Sequence, residues 1–235
     1  MATRCFTPVL GKRMRMTAVD ECGNIPASGT ADSMVVTNGF ISVALSAEVE
    51  DGTEIITKKA DGSLCVNEMT AASFKRFTIE IEFCGVDPGL VSLSTNGEIY
   101  EDYAGDIAGV VFPEGTIDKK FALELWTGLS GEACAPGEEE ASGYFLLPYI
   151  QAGVAGEVTI DGENAVTFSM TGAFTKGGNA WGVGPYNVMS DAGVASPLPT
   201  ALDPLDHLLI VRTGIAPPAS ACGLQPFLPD TPPAP

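Results

Sequence analysis

The chain has 235 residues, 45% of them hydrophobic, and a formal charge of -18 from 30 acidic against 12 basic residues. That is enough apolar material for a real core, which excludes a disordered chain. The acidic excess argues against attachment to nucleic-acid backbones or anionic lipid.

The opening MATRCFTPVLGKRMRM lacks a signal peptide's apolar core, and no stretch reaches the roughly eighteen apolar residues of a membrane span. A soluble protein, made in a cytoplasm and without a membrane partner, is expected. Arg4, Lys12, Arg13 and Arg15 lie in the first fifteen residues with no acid among them, leaving the other 220 with 8 basic and 30 acidic residues, a balance of -22. A basic end opposite an acidic body suits self-association, a solvated strand end or a nucleic-acid arm. Residues 1–33 read as an arm leading into the domain.

Strand signals dominate from residue 34. MVVTNGFISVALSAEVEDGTEIITKK alternates and breaks at Asp51-Gly52, a dipeptide of tight hairpin turns, and a second such turn follows at Asp61-Gly62. NEMTAASF offers a turn of helix. FKRFTIEIEF places Phe77, Ile79, Ile81 and Phe83 on one face and Thr78, Glu80 and Glu82 on the other, the pattern of a half-buried strand. VDPGLVSLST predicts a short helix, with Asp87 as N-cap, Pro88 at the first position, and Leu90, Val91 and Leu93 for burial. KFALELW and GEVTIDGENAVTFSMTGAF repeat the alternation, the latter as a hairpin about Asp161-Gly162. About eight to ten strands in all predict a mainly β fold, an antiparallel β-sandwich or barrel over residues 1–195 with one short packed α-helix.

GGNAWGVGPY follows the last of these strands. Its glycines fit neither GxGxxG nor GxxxxGK[ST], and Pro185 stops the chain before a helix begins, so a phosphate cradle is not expected. Trp181 reads instead as an apolar anchor, with Gly178, Gly182 and Gly184 letting the backbone turn closely around it, a structural corner at a subunit contact. Beyond residue 196 lie ten of the seventeen prolines, and 196–235 reads as an extended C-terminal segment. Within it PLDHLLIVRTGI is apolar enough to dock on the body or on a neighbouring subunit, while PFLPDTPPAP reads as extended and mobile.

Catalytic signals are weak. His207 is the only histidine, and its neighbour Asp206 does not orient it by adjacency, so a surface histidine is expected. The six cysteines, Cys5, Cys22, Cys65, Cys84, Cys134 and Cys222, show no zinc-site spacing and read as mostly reduced thiols. No metal or cofactor is expected. Glu80 and Glu82 project from one strand face about 7 Å apart, near a spacing glycosidases use. Glu48 and Glu50 repeat the arrangement on another strand, which points to an acidic sheet surface more than to a site.

The motifs GKRMRMT, VVTNGFISVALSAEVEDGTEI, CGVDPGLVSLSTNG, FALELWTGL, GYFLLPYIQAG and GNAWGVGPYNV, in this order from about Gly11 to Met189, resemble the major tail protein, or tail tube protein, of long-tailed non-contractile phages infecting actinobacteria. The resemblance implies a sandwich-like tube fold that closes into hexameric rings, with rings stacked into a hollow tail and inner sheets joined around a lumen. It implies no catalysis. The expected partners are further copies of the chain, other tail proteins (tape measure, tail terminator and tip), and double-stranded DNA passing through without specific binding. The expected location is the virion tail, after assembly in the host cytoplasm. On this reading Glu48, Glu50, Glu80 and Glu82 line the lumen. The hairpin around Asp51-Gly52 resembles the family's inter-ring loop, so Lys12, Arg13 and Arg15 would meet Glu50, Asp51 or Glu54 of the next ring, and Trp181, Gly182 and Gly184 form the structural anchor. Two rivals stand beside it: a monomeric carbohydrate-binding or adhesion β-sandwich, which needs an aromatic platform from Trp126, Trp181 and tyrosines, and a hydrolase using Glu80 and Glu82.

Overall fold

A computed structural model describes residues 6–130, 141–158, 160 and 166–230. The chain runs β1 (Pro8–Ala18), β2 (Met34–Thr37), β3 (Phe40–Glu50), β4 (Glu54–Lys58), β5 (Leu64–Met69), β6 (Ser73–Cys84), α1 (Pro88–Ser94), β7 (Glu98–Glu101) and β8 (Ile107–Val111). It continues with β9 (Lys120–Leu129), β10 (Ser142–Gln151), β11 (Val154–Ala155), β12 (Thr167–Thr175), β13 (Met189–Asp191), β14 (Val194–Ser196) and β15 (Leu209–Thr213). Among the described residues the fold is mainly β with one short helix, and every strand pairing is antiparallel.

The main sheet runs β2-β1-β9-β10-β12-β6-β3, with β11 on β12 and β15 on β10. One edge of β10 holds β9, and the other is divided: Ser142–Leu146 pairs β15, then Ile150 and Gln151 pair β12. Pro148 stands between the two stretches, where its missing N–H loses no ladder bond. The sheet forks there.

Strands β9 and β10 and the stretch of β1 from Met14 to Thr17 are buried on both faces. Met14, Met16, Phe121, Leu123, Leu125, Leu147 and Ile150 point into one core, completed by Ile79, Ile81 and Phe83 of β6, Met170 and Ala173 of β12, and Leu90 and Leu93 of α1. Alternate residues Ala122, Trp126, Tyr144 and Leu146 point the other way, into a second core closed by Trp181, Tyr186, Val188, Leu198 and Phe227. The alternation read from FKRFTIEIEF is present as expected, with Ile79, Ile81 and Phe83 buried. The helix also forms as expected: the Asp87 carboxylate Oδ1 accepts the N–H groups of Gly89 and Leu90 at 3.0 and 3.3 Å, and its Oδ2 accepts that of Gly223 at 3.0 Å.

Several expectations give way. Asp51-Gly52 makes no tight turn, because β3 pairs β6 from Phe40↔Phe83 to Glu50↔Ser73 and the same ribbon continues as β4 on β5, Glu54↔Met69 to Lys58↔Leu64. The turn is at Asp61-Gly62, where Gly62 takes φ 84° and Asp61 Oδ1 accepts the Ser63 N–H at 2.9 Å. Gly52 serves another purpose: a Cβ there would run into the Thr70 carbonyl across the ribbon. NEMTAASF is strand at both ends, drawn into β5 and β6 by that pairing. The hairpin about Asp161-Gly162 lies outside the described residues.

The boundary at 195/196 is not a break in packing. β15 joins the main sheet, Phe227 is buried, and the backbone of Ala221 and Gln225 donates to Val36 and Met34 carbonyls at 3.1 and 2.8 Å, covering the outer edge of β2. Prolines keep this segment from forming a continuous strand, but its apolar residues still seal the second core. Phe227→Ala therefore costs about 3 kcal/mol in urea unfolding, whereas an appendage resting outside the core would leave the midpoint unmoved.

Candidate functional site

The acidic face is set by the register of β3 on β6. Ser42 faces Glu82, Ala44 faces Glu80, Ser46 faces Thr78 and Glu48 faces Arg76, and residues directly opposite share a face. Small side chains thus stand across from Glu80 and Glu82 and leave both without a cross-strand cation. Glu80 and Glu50 are exposed and Glu82 is half-buried. Glu48 differs, since Oε2 accepts from Arg76 Nε at 2.5 Å and Oε1 from Lys75 Nζ at 3.1 Å. The Arg76 hydrogen bond, then that of Lys75, holds its carboxyl below the ordinary value. The structure brings the four glutamates to one ribbon, but Glu48 is neutralised there.

Of the basic cluster, Arg15 is withdrawn from any outside contact. β1 pairs β9 with Arg15 opposite Glu124, and the two form a buried bidentate pair, Nε to Oε2 at 2.5 Å and Nη2 to Oε1 at 2.6 Å. The Tyr144 hydroxyl donates to Glu124 Oε1 at 2.6 Å. The Arg15 guanidinium carbon lies 3.2 Å from the Tyr186 ring centroid and 5.2 Å from that of Trp126, and the hydroxyls of Tyr186 and Thr17 are 2.9 Å apart. Burial opposes the Arg15 charge, but the Glu124 carboxylate more than offsets it and its pKa is raised. The expected inter-ring role of Arg15 fails because the face that alternation assigns it is an interior one. Lys12 and Arg13 are half-buried on the same strand, and Arg13 Nε and Nη1 find no acceptor among the described residues. Asp51 and Glu54 are exposed with Glu50 where the ribbon changes from β3 to β4.

Trp181 is 4% exposed, so the corner it anchors is internal to the chain and not a subunit contact. Its ring centroid is 6.2 Å from that of Tyr186. Gly182 and Gly184 take φ 59° and 83°, and a Cβ on Gly184 would sit 2.6 Å from the indole nitrogen. Asn179 fastens the corner, its side-chain amide donating to the Asp203, Pro204 and Asp206 carbonyls at 3.0 to 3.1 Å.

His207 is half-buried and not simply on the surface; its Nδ1 lies 2.6 Å from Thr175 Oγ1, and burial lowers its pKa against the nearby Asp206 charge. The Asp206 carboxylate accepts the Asp203 N–H at 2.8 Å within its own loop. Cys22, Cys65, Cys84 and Cys222 are exposed free thiols. Among the described residues no three His, Cys, Asp or Glu side chains are grouped to hold a metal, and no helix is long and apolar enough to cross a membrane.

No protein-family model and no curated protein sequence matches the chain. Sequence reading missed Glu124, Tyr144 and Tyr186. The signal was a charge inside FALELW beside a second strand, KRMRM, with the same apolar alternation, so that two half-apolar faces could be paired through their charges.

Removing one partner leaves a buried charge uncompensated, so Glu124→Gln loses about 3 to 5 kcal/mol of unfolding free energy, while Arg15→Met/Glu124→Leu together lose far less; a harmless single substitution would contradict the buried pair. Burial, foremost, raises the Tyr144 and Tyr186 pKa values. Once the pH passes the unfolded tyrosine value of about 10 the unfolded chain binds fewer protons than the folded one. Stability is intact below that pH and falls as pH climbs towards the folded-state values. Ultraviolet titration should show these two phenols ionising together with loss of tertiary circular dichroism.

Proposed function

We propose that the protein is a structural subunit that self-associates edge to edge into hexameric rings, which stack into a tail tube of the phage type that the sequence resembles. The tube is a passive conduit whose bore carries Glu50, Glu80 and Glu82, with Glu48 tied to Arg76 at its margin.

The observation that carries this reading is the ribbon. All residues of β4 and β5 are exposed, among them Ile55, Ile56, Leu64, Val66 and Met69. An isolated two-stranded hairpin is marginal in water, and exposed apolar groups in this number mark an interaction surface. β3, eleven residues long, pairs only β6 among the described strands and leaves its other edge open with Ile41 and Val49 exposed. Such edges are a liability that pairing between copies removes. An unpaired acidic face then repels DNA over about a Debye length, roughly 8 to 10 Å, which suits passage without capture.

In the stacking arrangement Lys12 and Arg13 meet Glu50, Asp51 or Glu54 of the next ring. Ion pairs at a surface contribute about 1 kcal/mol or less each, so these act through repetition around the ring. The carbohydrate-binding reading loses both tryptophans of its platform, because Trp126 and Trp181 are buried, and keeps only exposed tyrosines such as Tyr100 and Tyr103. The hydrolase reading has Glu80 and Glu82 on an open sheet face rather than in a cleft.

Negative-stain images of the purified protein should show rings or tubes. Tubes of Glu80→Lys/Glu82→Lys should hold labelled double-stranded DNA that wild-type tubes release. Dispersed monomers at every concentration would end this reading.

A further inference from the structure

A cleft of about 520 Å³ opens between the start of β6 and the end of β12, lined by Phe74, Lys75, Arg76, Phe174, Lys176 and His207 with Thr175, Gly177 and Leu205. Its lining carries three of the chain's 12 basic residues and no carboxylate, an exception on a chain of charge -18. Glu48 stands behind Lys75 and Arg76 and answers one of those charges, and Asp206 is turned into its own loop. The walls are aromatic: Phe74 meets His207 edge-on at 5.3 Å between centroids, and Arg76 lies 4.4 Å over the Phe174 ring. Thr175 Oγ1 accepts the Phe77 N–H at 2.9 Å and also lies 2.6 Å from His207 Nδ1, where either atom can be the donor.

The chemistry that fits is a phenol or other aromatic ring flanked by carboxylates. The chain itself presents such a group. The β7–β8 hairpin carries Glu98, Glu101, Asp102 and Asp106 and no basic residue, with Tyr100 exposed and Tyr103 fully so at 113%. Its tip is preorganised: Asp102 Oδ1 accepts the N–H groups of Ala104 and Asp106 at 2.7 and 3.1 Å, and Gly105 takes φ 84°. A rigid loop loses little entropy on docking.

A subunit does not fill its own cleft. The cleft sits at Phe74–Arg76, the beginning of β6, whereas the hairpin packs on α1, which follows the end of β6 at Cys84. Ten residues of strand at about 3.3 Å each separate the two ends by roughly 33 Å. A contact between two different surfaces of the same chain, unless two copies exchange hairpins reciprocally, is heterologous and propagates head to tail, into a ring or along a filament.

We propose that the cleft receives the β7–β8 hairpin of a second copy of this chain, with Tyr103 against the joined Phe74 and His207 rings and the hairpin carboxylates against Lys75 and Lys176. This rests on the self-association reading and gives it a specific head-to-tail contact.

The test uses two full-length variants, one blocked in the cleft (Lys75→Glu/Lys176→Glu) and one in the hairpin (Tyr103→Ala/Glu101→Lys). Each retains the surface that the other lacks. With one variant immobilised, the mixed pair should bind at least tenfold more tightly than either self pair, and 4-hydroxyphenylacetate, which carries the same phenol and carboxylate, should weaken it. Mixed binding no tighter than self binding overturns the proposal, including the case in which the small acid binds the cleft on its own. The parent reading is judged separately: wild-type tubes with no mixed-pair preference remove only the docking, whereas mixed-pair preference without any ring or tube keeps the docking and removes the tube.

Discussion

The buried pair of Arg15 and Glu124 is the constraint from which the rest of the structure follows. Two ionised groups inside a β-protein are tolerated only when each is paired and its remaining hydrogen-bonding capacity is met. Here the pair is bidentate, Tyr144 supplies a further donor to Glu124, and Tyr186 and Trp126 lay their rings against the guanidinium. Tyr186 comes from the glycine corner around Trp181, so the corner must close before the charges are shielded from water. The C-terminal segment then completes the cover through Phe227, whose ring centroid lies 5.9 Å from that of Tyr186. What composition suggests is a loose proline-rich tail is the lid on a charged interior.

This arrangement divides the molecule in two. Around β1, β9 and β10 both faces are covered and the backbone is paired on each side, which gives a stiff centre. Toward β3 and β6 one face is covered and the other carries small polar and acidic side chains, and beyond Glu50 the ribbon of β4 and β5 is covered on neither face. Rigidity at one side and unspent pairing capacity at the other is what a subunit needs if its folding is to be complete within itself and its assembly completed by neighbours.

The local parts of this fold were legible in sequence because their causes are local. Asp87-Pro88 sets the helix start, Asp61-Gly62 makes its turn, and the two-residue period of Phe77 to Phe83 fixes which residues are buried. Long-range pairing was not legible. Asp51-Gly52 has the composition of a turn, yet Gly52 is needed for the approach of Thr70, a contact made only once β6 has returned alongside β3. Arg15 looked like a surface cation because nothing near it in sequence announces Glu124, which is 109 residues away. His207 looked like a surface residue for the same reason, since its partner Thr175 lies on a strand that the intervening corner folds back upon. Alternation assigns two faces to a strand but does not say what covers each, and here the covering came from the segment least like a strand.

The central claim is that the open edge of β3 is completed by another copy, and amide hydrogen exchange across residues 40–50 tests it most directly. In dilute protein the outward-facing amides of β3 should exchange rapidly. As concentration rises into the assembling range they should slow toward the rates of β9, while β1, β9 and β10 stay protected throughout. Rapid exchange along β3 in assembled and dilute protein alike would contradict the account.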